Sequence, residues 1–490
     1  MVINMINKSI WMDIKKKEYK RLENDINVDV LIIGGGMTGI STAYHLIDSD
    51  LKVALVEKNE LALGVTSKTT GKLTFLQEDI YSKLKKYHDI DTSKKYLDSQ
   101  LDAIKIVTEI INKEKINCNL EKVDSYIFSN DEKDNKKIDD EFNLLKEFDI
   151  DIKKTTILPN GDKVKNGCFV KDTYVFHPLK YLYKLADICN NKGISIYENT
   201  KIISVDKEDD LYICKTNTNW IKAKYVVFAV HYPYFITPFL MPIKGHIEKS
   251  YIEAFKVKDN PQFSSISVSK PTISTRYITE KDTTYQLYLT NSHNTAVKDN
   301  ENKNFKGLID DKNITPDYIW SNKDIITNDL LPYIGKLKDN NMLIGTGYNT
   351  WGMTNGSLAG KIISDIIQNN PNEYIDLFDP HRKINKGTLI NFPITLGSNI
   401  LSFIKSKIIK QKFWYSPNVT FETRNGKKIA IYTDENKKEH IVYNLCPHMK
   451  CSLLFNEVEK TWDCPCHGSR FDIDGNVIEG PSNYNITYKE

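Results

Sequence analysis

Apolar residues change their period along this chain, and the changes mark out its parts. Residues 28–33 (VDVLII) are short, apolar and β-branched, the pattern of a parallel strand covered on both faces. A helix is predicted after them to about residue 47, then a second strand within LKVALVEKN (51–59). Residues 76–150 are polar with helical spacing, best in IYSKLKKYH, YLDSQLDAIKIVTEIINKEK and DDEFNLLKEFD. From about Thr155 the pattern turns to short strands. Residues 176–193 read as a helix with Pro178 in its first turn and Gly193 at its end. Strands follow in SIYENTKIISVDKE, then a hairpin whose last strand (225–230) is again apolar. Residues 240–320 alternate, as in ISVSKPTISTRYI, which predicts an antiparallel sheet. A strand at 342–344 and a helix at 357–367 come next, then a basic amphipathic stretch at 394–414.

Candidate chemistry sits at the joints between these elements. Gly34, Gly36 and Gly39 form G-x-G-x-x-G between the first strand and its helix. Such glycines permit a tight turn, close approach of a pyrophosphate and close helix–strand contact, while the helix N-terminus favours anions. Glu57 ends the second strand, where a carboxylate accepts hydrogen bonds from ribose hydroxyls. The glycine motif alone is weak; strand, glycines, helix, strand and acid in that order indicate a dinucleotide site. A second glycine loop, with Gly345, Gly347, Gly352 and Gly356, leads into the helix predicted at 357–367.

Near the C-terminus the chain reads NLCPHMKC and then WDCPCHGSRFD. Cys446 and His448 make C-x-H, and Cys464 and His467 make C-x-x-H. Two thiolates and two imidazoles suit a two-iron, two-sulfur cluster, with the cysteines on one iron and the histidines on the other. Zinc on the same four ligands is the alternative. The other histidines are scattered, without the spacing of a mononuclear iron triad.

Length and charge narrow the picture. A chain of 490 residues suits about three domains, and a net charge of +3 argues against nucleic acid as a partner. No stretch approaches the ~20 apolar residues of a membrane span, and no signal peptide is visible, so a cytoplasmic protein is expected, with membrane contact not expected. The lysines of KLKK (83–86) and of 405–412 read as solvated helix faces. Cys118, Cys168, Cys189 and Cys214 lack ligand spacing and read as buried thiols.

Residues 28–380 resemble the D-amino-acid oxidase/glycine oxidase superfamily of FAD enzymes, and the C-terminal motifs resemble the Rieske family. The resemblance implies a Rossmann-like α/β FAD-binding domain of the glutathione-reductase type. It also implies an interleaved α+β substrate domain with an antiparallel sheet, and a small all-β Rieske domain. The implied boundaries are an arm at 1–27, the oxidoreductase at 28–380 (FAD-binding at 28–75, 155–235 and 320–370), a linker at 381–412 and the Rieske domain at 413–490. Implied contacts to a non-covalent FAD are Gly34, Gly36, Met37, Thr38, Gly39, Glu57, Lys58, Thr66, Ser67, Thr70, Ile202, Gly345, Gly347, Trp351, Gly352, Met353 and Thr354. Cys446, His448, Cys464 and His467 are the implied ligands of a [2Fe-2S] cluster, and Cys451 and Cys466 match the pair that forms a disulfide between the cluster loops in the Rieske proteins of respiratory and photosynthetic cytochrome complexes. Ser469 matches a serine that hydrogen-bonds a bridging sulfur, whereas Phe471 replaces a tyrosine donor, which predicts an intermediate potential. The loop GYNTWGMTNG has no arginine to clamp a substrate carboxylate; Arg276, in a predicted strand, is the one weak candidate for substrate contact. The expected function is oxidoreduction of a small organic substrate with an electron acceptor or donor protein as partner. A non-catalytic redox relay or sensor is the alternative.

Overall fold

The computed structural model describes residues 8–233, 244–295, 316–337, 341–408, 418–457, 459–466 and 468–488, the segment 398–408 by its backbone alone. His467 and the end of the basic stretch (409–414) lie outside the described residues.

The apolar runs form the parallel part of an eight-stranded mixed sheet, in the order Met342–Thr346, Trp220–Phe228, Ile26–Ile33, Val53–Val56 and Ser195–Tyr197. Residues 30–33 and 53–56 are buried throughout, because helices cover the sheet. Helix Met37–His45 starts at the first glycine loop and helix Gly352–Gln368 at the second. The two helices lie against each other at small residues. A Cβ on Gly360 would stand 2.4 Å from Ser41 Cβ. The second helix begins five residues earlier than the sequence pattern predicts, because Gly352 and Gly356 weaken the helical signal there.

A second, nine-stranded sheet carries Tyr318–Thr327 at one end, followed by Gly245–Val257, Thr283–Asn294, Ser274–Glu280 and Phe263–Ser267. It continues through Glu121–Ser129 and Lys163–Val175. The strand Glu121–Ser129 corrects the helical reading of residues 76–150. Helices Ile80–Tyr87, Ile90–Lys113 and Asn135–Glu147 are present on either side of it. Its YIF core gains its β form from being paired on both edges, an influence that local periodicity does not carry.

The N-terminal arm is docked rather than free. Trp11 is fully buried and donates to Thr69 O at 2.7 Å. Beyond helix Lys386–Ile408, two small antiparallel sheets enclose a separate apolar core around Trp462, Phe471 and Leu453. Among the described residues, no helix is long and apolar enough to cross a membrane.

Gly360→Val forces branched carbons into the Ser41 backbone. It is expected to lower the unfolding free energy by about 1–3 kcal/mol, measured from the denaturant midpoint.

Candidate functional site: two joined cavities and a cysteine–histidine centre

Both glycine loops open onto one cavity of about 320 Å³. Its lining includes Gly34, Gly36, Met37, Thr38, Glu57, Lys58, Thr66, Ile202, Gly345, Gly347, Gly352 and Met353. Gly34 has φ +112°, and a Cβ there would lie 2.4 Å from Ala229 O, so only glycine fits the turn. The Glu57 carboxylate accepts from the N–H groups of Gly35 (2.9 Å) and Asn59 (3.0 Å), which fixes it at the strand end. A helix N-terminus, a glycine cradle and an acid at the second strand are the donor set that a dinucleotide requires, so the cavity fits FAD.

Five of the residues assigned to the cofactor by resemblance are not on this lining. Gly39 is a packing position, since a Cβ there would lie 1.9 Å from Gly34 O. Ser67 turns its hydroxyl back to Leu63 O and Gly64 O. The Thr354 hydroxyl donates to Trp351 O. Thr70 and Trp351 face a second cavity instead. Sequence reasoning missed Asn322 and Asp324, which do line the first cavity. His231, just past the end of strand Trp220–Phe228, lines it too.

The second cavity, about 240 Å³, lies against the nine-stranded sheet. Lys68, Thr69, Asn322, Asp324, Thr350 and Met353 line both cavities and form the wall between them. Arg276 lines neither. Its guanidinium is sealed and one nitrogen donates to Thr70 O, Gly71 O and Phe176 O, while the group lies 5.2 Å from the Trp11 ring. It braces the loop and the N-terminal arm, which corrects its candidacy as a substrate clamp.

In the C-terminal domain, Cys451 and Cys466 form a disulfide. Cys446 and Cys464 are buried and take no part in a disulfide. A hydrogen bond with Cys464, then the His448 N–H and the Ser469 hydroxyl, draw the Cys446 thiol down to about 7 against its burial. Ser469 Oγ also accepts from Ser482 N–H at 2.9 Å, which ties the second ligand loop to the loop at Pro481. Two thiols held together beside His448 are the cysteine half of the predicted cluster site. Phe471 pairs with Trp462 in the core, so it supplies no donor to the sulfurs.

The two parts meet through buried charge. Glu459 accepts from Lys249 at 2.9 Å, Arg470 at 2.9 Å and Ser321 at 2.7 Å. Both Lys249 and Glu459 are at most 1% exposed. Lys323 Nζ donates to Gly468 O at 2.7 Å, next to the second ligand loop. Lys201 Nζ donates to Asn483 O at 2.5 Å, and Ile478, Glu479 and Gly480 line the first cavity. Burial alone would raise Glu479, but the Lys68, Lys323 and Arg470 cations outweigh it and hold the carboxyl down at about 2. The cation pair Lys249 and Lys323 faces each other across adjacent strands and meets this acidic face.

The profile of a family described as FAD dependent oxidoreductase matches residues 29–366, and that of the Rieske [2Fe-2S] domain matches residues 411–488. The Rieske 2Fe-2S iron-sulfur protein YhfW of Bacillus subtilis is 30% identical over 487 residues, covering 95% of this chain and 94% of that protein. Gamma-glutamylputrescine oxidoreductase of Escherichia coli is 22% identical, covering 78% and 93%. Glycine oxidase from Geobacillus kaustophilus superposes with a TM-score of 0.61 at 16% identity, covering 73% of this chain and 99% of that one.

Glu459→Gln removes the nearest carboxylate that the buried Lys249 and Arg470 share, leaving them Asp463 at 3.9 and 3.3 Å. It is expected to cost about 3–5 kcal/mol in a denaturation curve. Glu147→Gln, which breaks the exposed 3.5 Å pair with Lys85, should cost less than about 1 kcal/mol. Ser469→Ala removes a hydrogen bond to a ligand sulfur, and redox titration should give a lower midpoint than the native chain.

Proposed function

Because the chain belongs to the FAD-dependent oxidoreductase family and carries a C-terminal Rieske [2Fe-2S] domain, we propose that it couples a small organic substrate to an external electron partner through FAD and the cluster. The substrate range is amines, amino acids and hydroxy acids, and the partner is an electron-carrying protein. One observation carries this reading. The strand Tyr318–Thr327 turns Asn322 and Asp324 to the cavities and Ser321 and Lys323 to the Rieske domain. Only the thickness of one strand separates the cofactor wall from the residues beside the cluster loop.

The chain's own groups have defined tasks in this scheme. The Gly34–Gly36 turn and the N-terminus of helix Met37–His45 would hold the pyrophosphate, and Glu57 the ribose. Ile202 and Lys58 lie at the same end of the cavity as Glu57 and Lys201. The start of helix Gly352–Gln368 presents its partial positive charge where the ring would lie. Cys446, His448 and Cys464, with His467, would hold the cluster, and the Ser469 hydroxyl orients the thiolate side. When bound, the flavin exchanges electrons in pairs or singly and the cluster one at a time. The sealed Lys249–Glu459–Arg470 contact keeps the two centres in one arrangement. The absence of an arginine at the second glycine loop, and the relative named for gamma-glutamylputrescine, support amines within the substrate range.

The test is anaerobic mixing of the holoenzyme with amines, amino acids and hydroxy acids. The flavin band should bleach with one compound class, and the paramagnetic signal of the reduced cluster should appear with it. In Cys464→Ser the flavin should still bleach with no cluster signal. Bleaching by reduced carrier proteins alone would contradict substrate turnover and leave a relay.

A further inference from the structure

We propose that the second cavity is the substrate chamber and that it admits a protonated amine, with Asp324 as its principal anchor and Asn322 and Glu78 beside it. This rests on the reading of the first cavity as the FAD site.

Most of the charged side chains that line the cavity already have an ion-pair partner. Asp79 pairs with Lys83 at 2.7 Å, and Glu248 with Lys270 at 3.3 Å. Lys137 pairs with Asp134 at 2.8 Å. Lys68 makes no ion pair within 4 Å among the described residues, and Glu479 of the Rieske domain is the largest opposing charge acting on it. Two carboxyls remain. Among the described residues, Asp324 has no cation within 4 Å; its one partner is the Asn322 amide, which donates at 3.1 Å. Glu78 has neither a hydrogen bond nor an ion pair among the described residues, and it sits at φ +56°, a conformation that side chains other than glycine rarely adopt. Asn322 is 7% exposed, and its Oδ1 is buried with no hydrogen-bond partner. An unpartnered buried acceptor costs free energy unless a donor meets it. The wall shared with the cofactor cavity therefore presents acceptors that lack a donor.

Lys72, like Lys68, has no carboxylate within 4 Å among the described residues. Its Nζ already donates to Ser265 O and Ser274 Oγ, both at 2.6 Å. Burial, then Arg276 nearby, push it down to about 7 against the pull of Glu78. Burial and the carboxylates of Glu248, its cross-strand partner, and Glu479 push Asp324 up to about 7. Burial likewise raises Glu78. As pH rises through about 7, Lys72 loses a positive charge and Asp324 gains a negative one. Both changes favour a cation and disfavour an anion.

The test uses the FAD- and cluster-loaded chain under anaerobic conditions. It is titrated with linear primary amines and with carboxylates of matching length, and the flavin absorption band reports binding. Amines should shift or bleach the band at concentrations at least about tenfold below any carboxylate effect, and their affinity should rise between about pH 6 and 8. Asp324→Asn should weaken amine binding by about tenfold to a hundredfold, the range for a charged hydrogen bond. Glu78→Gln, farther from the cofactor wall, serves if Asp324→Asn does not retain FAD, and should weaken it less. Tighter binding of carboxylates, an affinity that falls over that pH range, or amine binding unchanged in both variants would overturn the proposal. So would a band indifferent to both ligand classes. Chemical reduction of the same samples separates this from the cofactor reading: a flavin that stays bound and reduces the cluster upholds that reading even where amine selectivity fails.

Discussion

A carboxylate sealed between two cations holds this molecule in its working form. Glu459 lies between Lys249 of the nine-stranded sheet and Arg470 of the Rieske domain, and also accepts from the Ser321 hydroxyl and the Asn456 amide. Burying these charges is costly, and the contact persists because each is paired. An apolar joint of equal area would slide more freely. The ionic one accepts a single register, which brings Gly468 onto Lys323 and Glu479 to the edge of the cofactor cavity. The position of the cluster relative to the flavin follows from that register.

The strand Tyr318–Thr327 shows how the alternation of a β-strand serves two centres at once. Successive side chains point to opposite faces. Residues 321 and 323 are committed to docking, and residues 322 and 324 to the cavities. The same geometry explains why the cavities share a wall. It also puts Asp324, electrically between Glu248 and Glu479, where a carboxyl is reluctant to ionise without a cation.

Much of this was legible in the sequence where function depends on local chain geometry. The Gly34–Gly36 turn, Glu57 and the Cys446–His448 and Cys464 motifs declare themselves because their spacing is their chemistry. Ser67, Thr70, Trp351 and Thr354 were harder, since a loop of hydroxyls and aromatics does not reveal which side faces the cofactor. Arg276 misled for a related reason: a strand position gives its face, but only tertiary structure brings the Thr70, Gly71 and Phe176 carbonyls to it. Asp324 lies in a segment, SNKDIIT, that reads as polar surface. Its place between Glu248 of the sheet and Glu479 of the Rieske domain is a long-range fact with no local signature. The strand Glu121–Ser129 escaped detection in the same way, hidden among helical neighbours until paired on both edges.

The central claim is that the docked strand joins the two cofactors within a single chain. Stopped-flow reduction of the loaded protein, with the flavin band and the cluster band followed separately, tests it most directly. The account predicts that electrons reach the cluster from the flavin with a first-order rate constant that does not change with protein concentration. A rate that rises in proportion to protein concentration would mean transfer between molecules, and would contradict it.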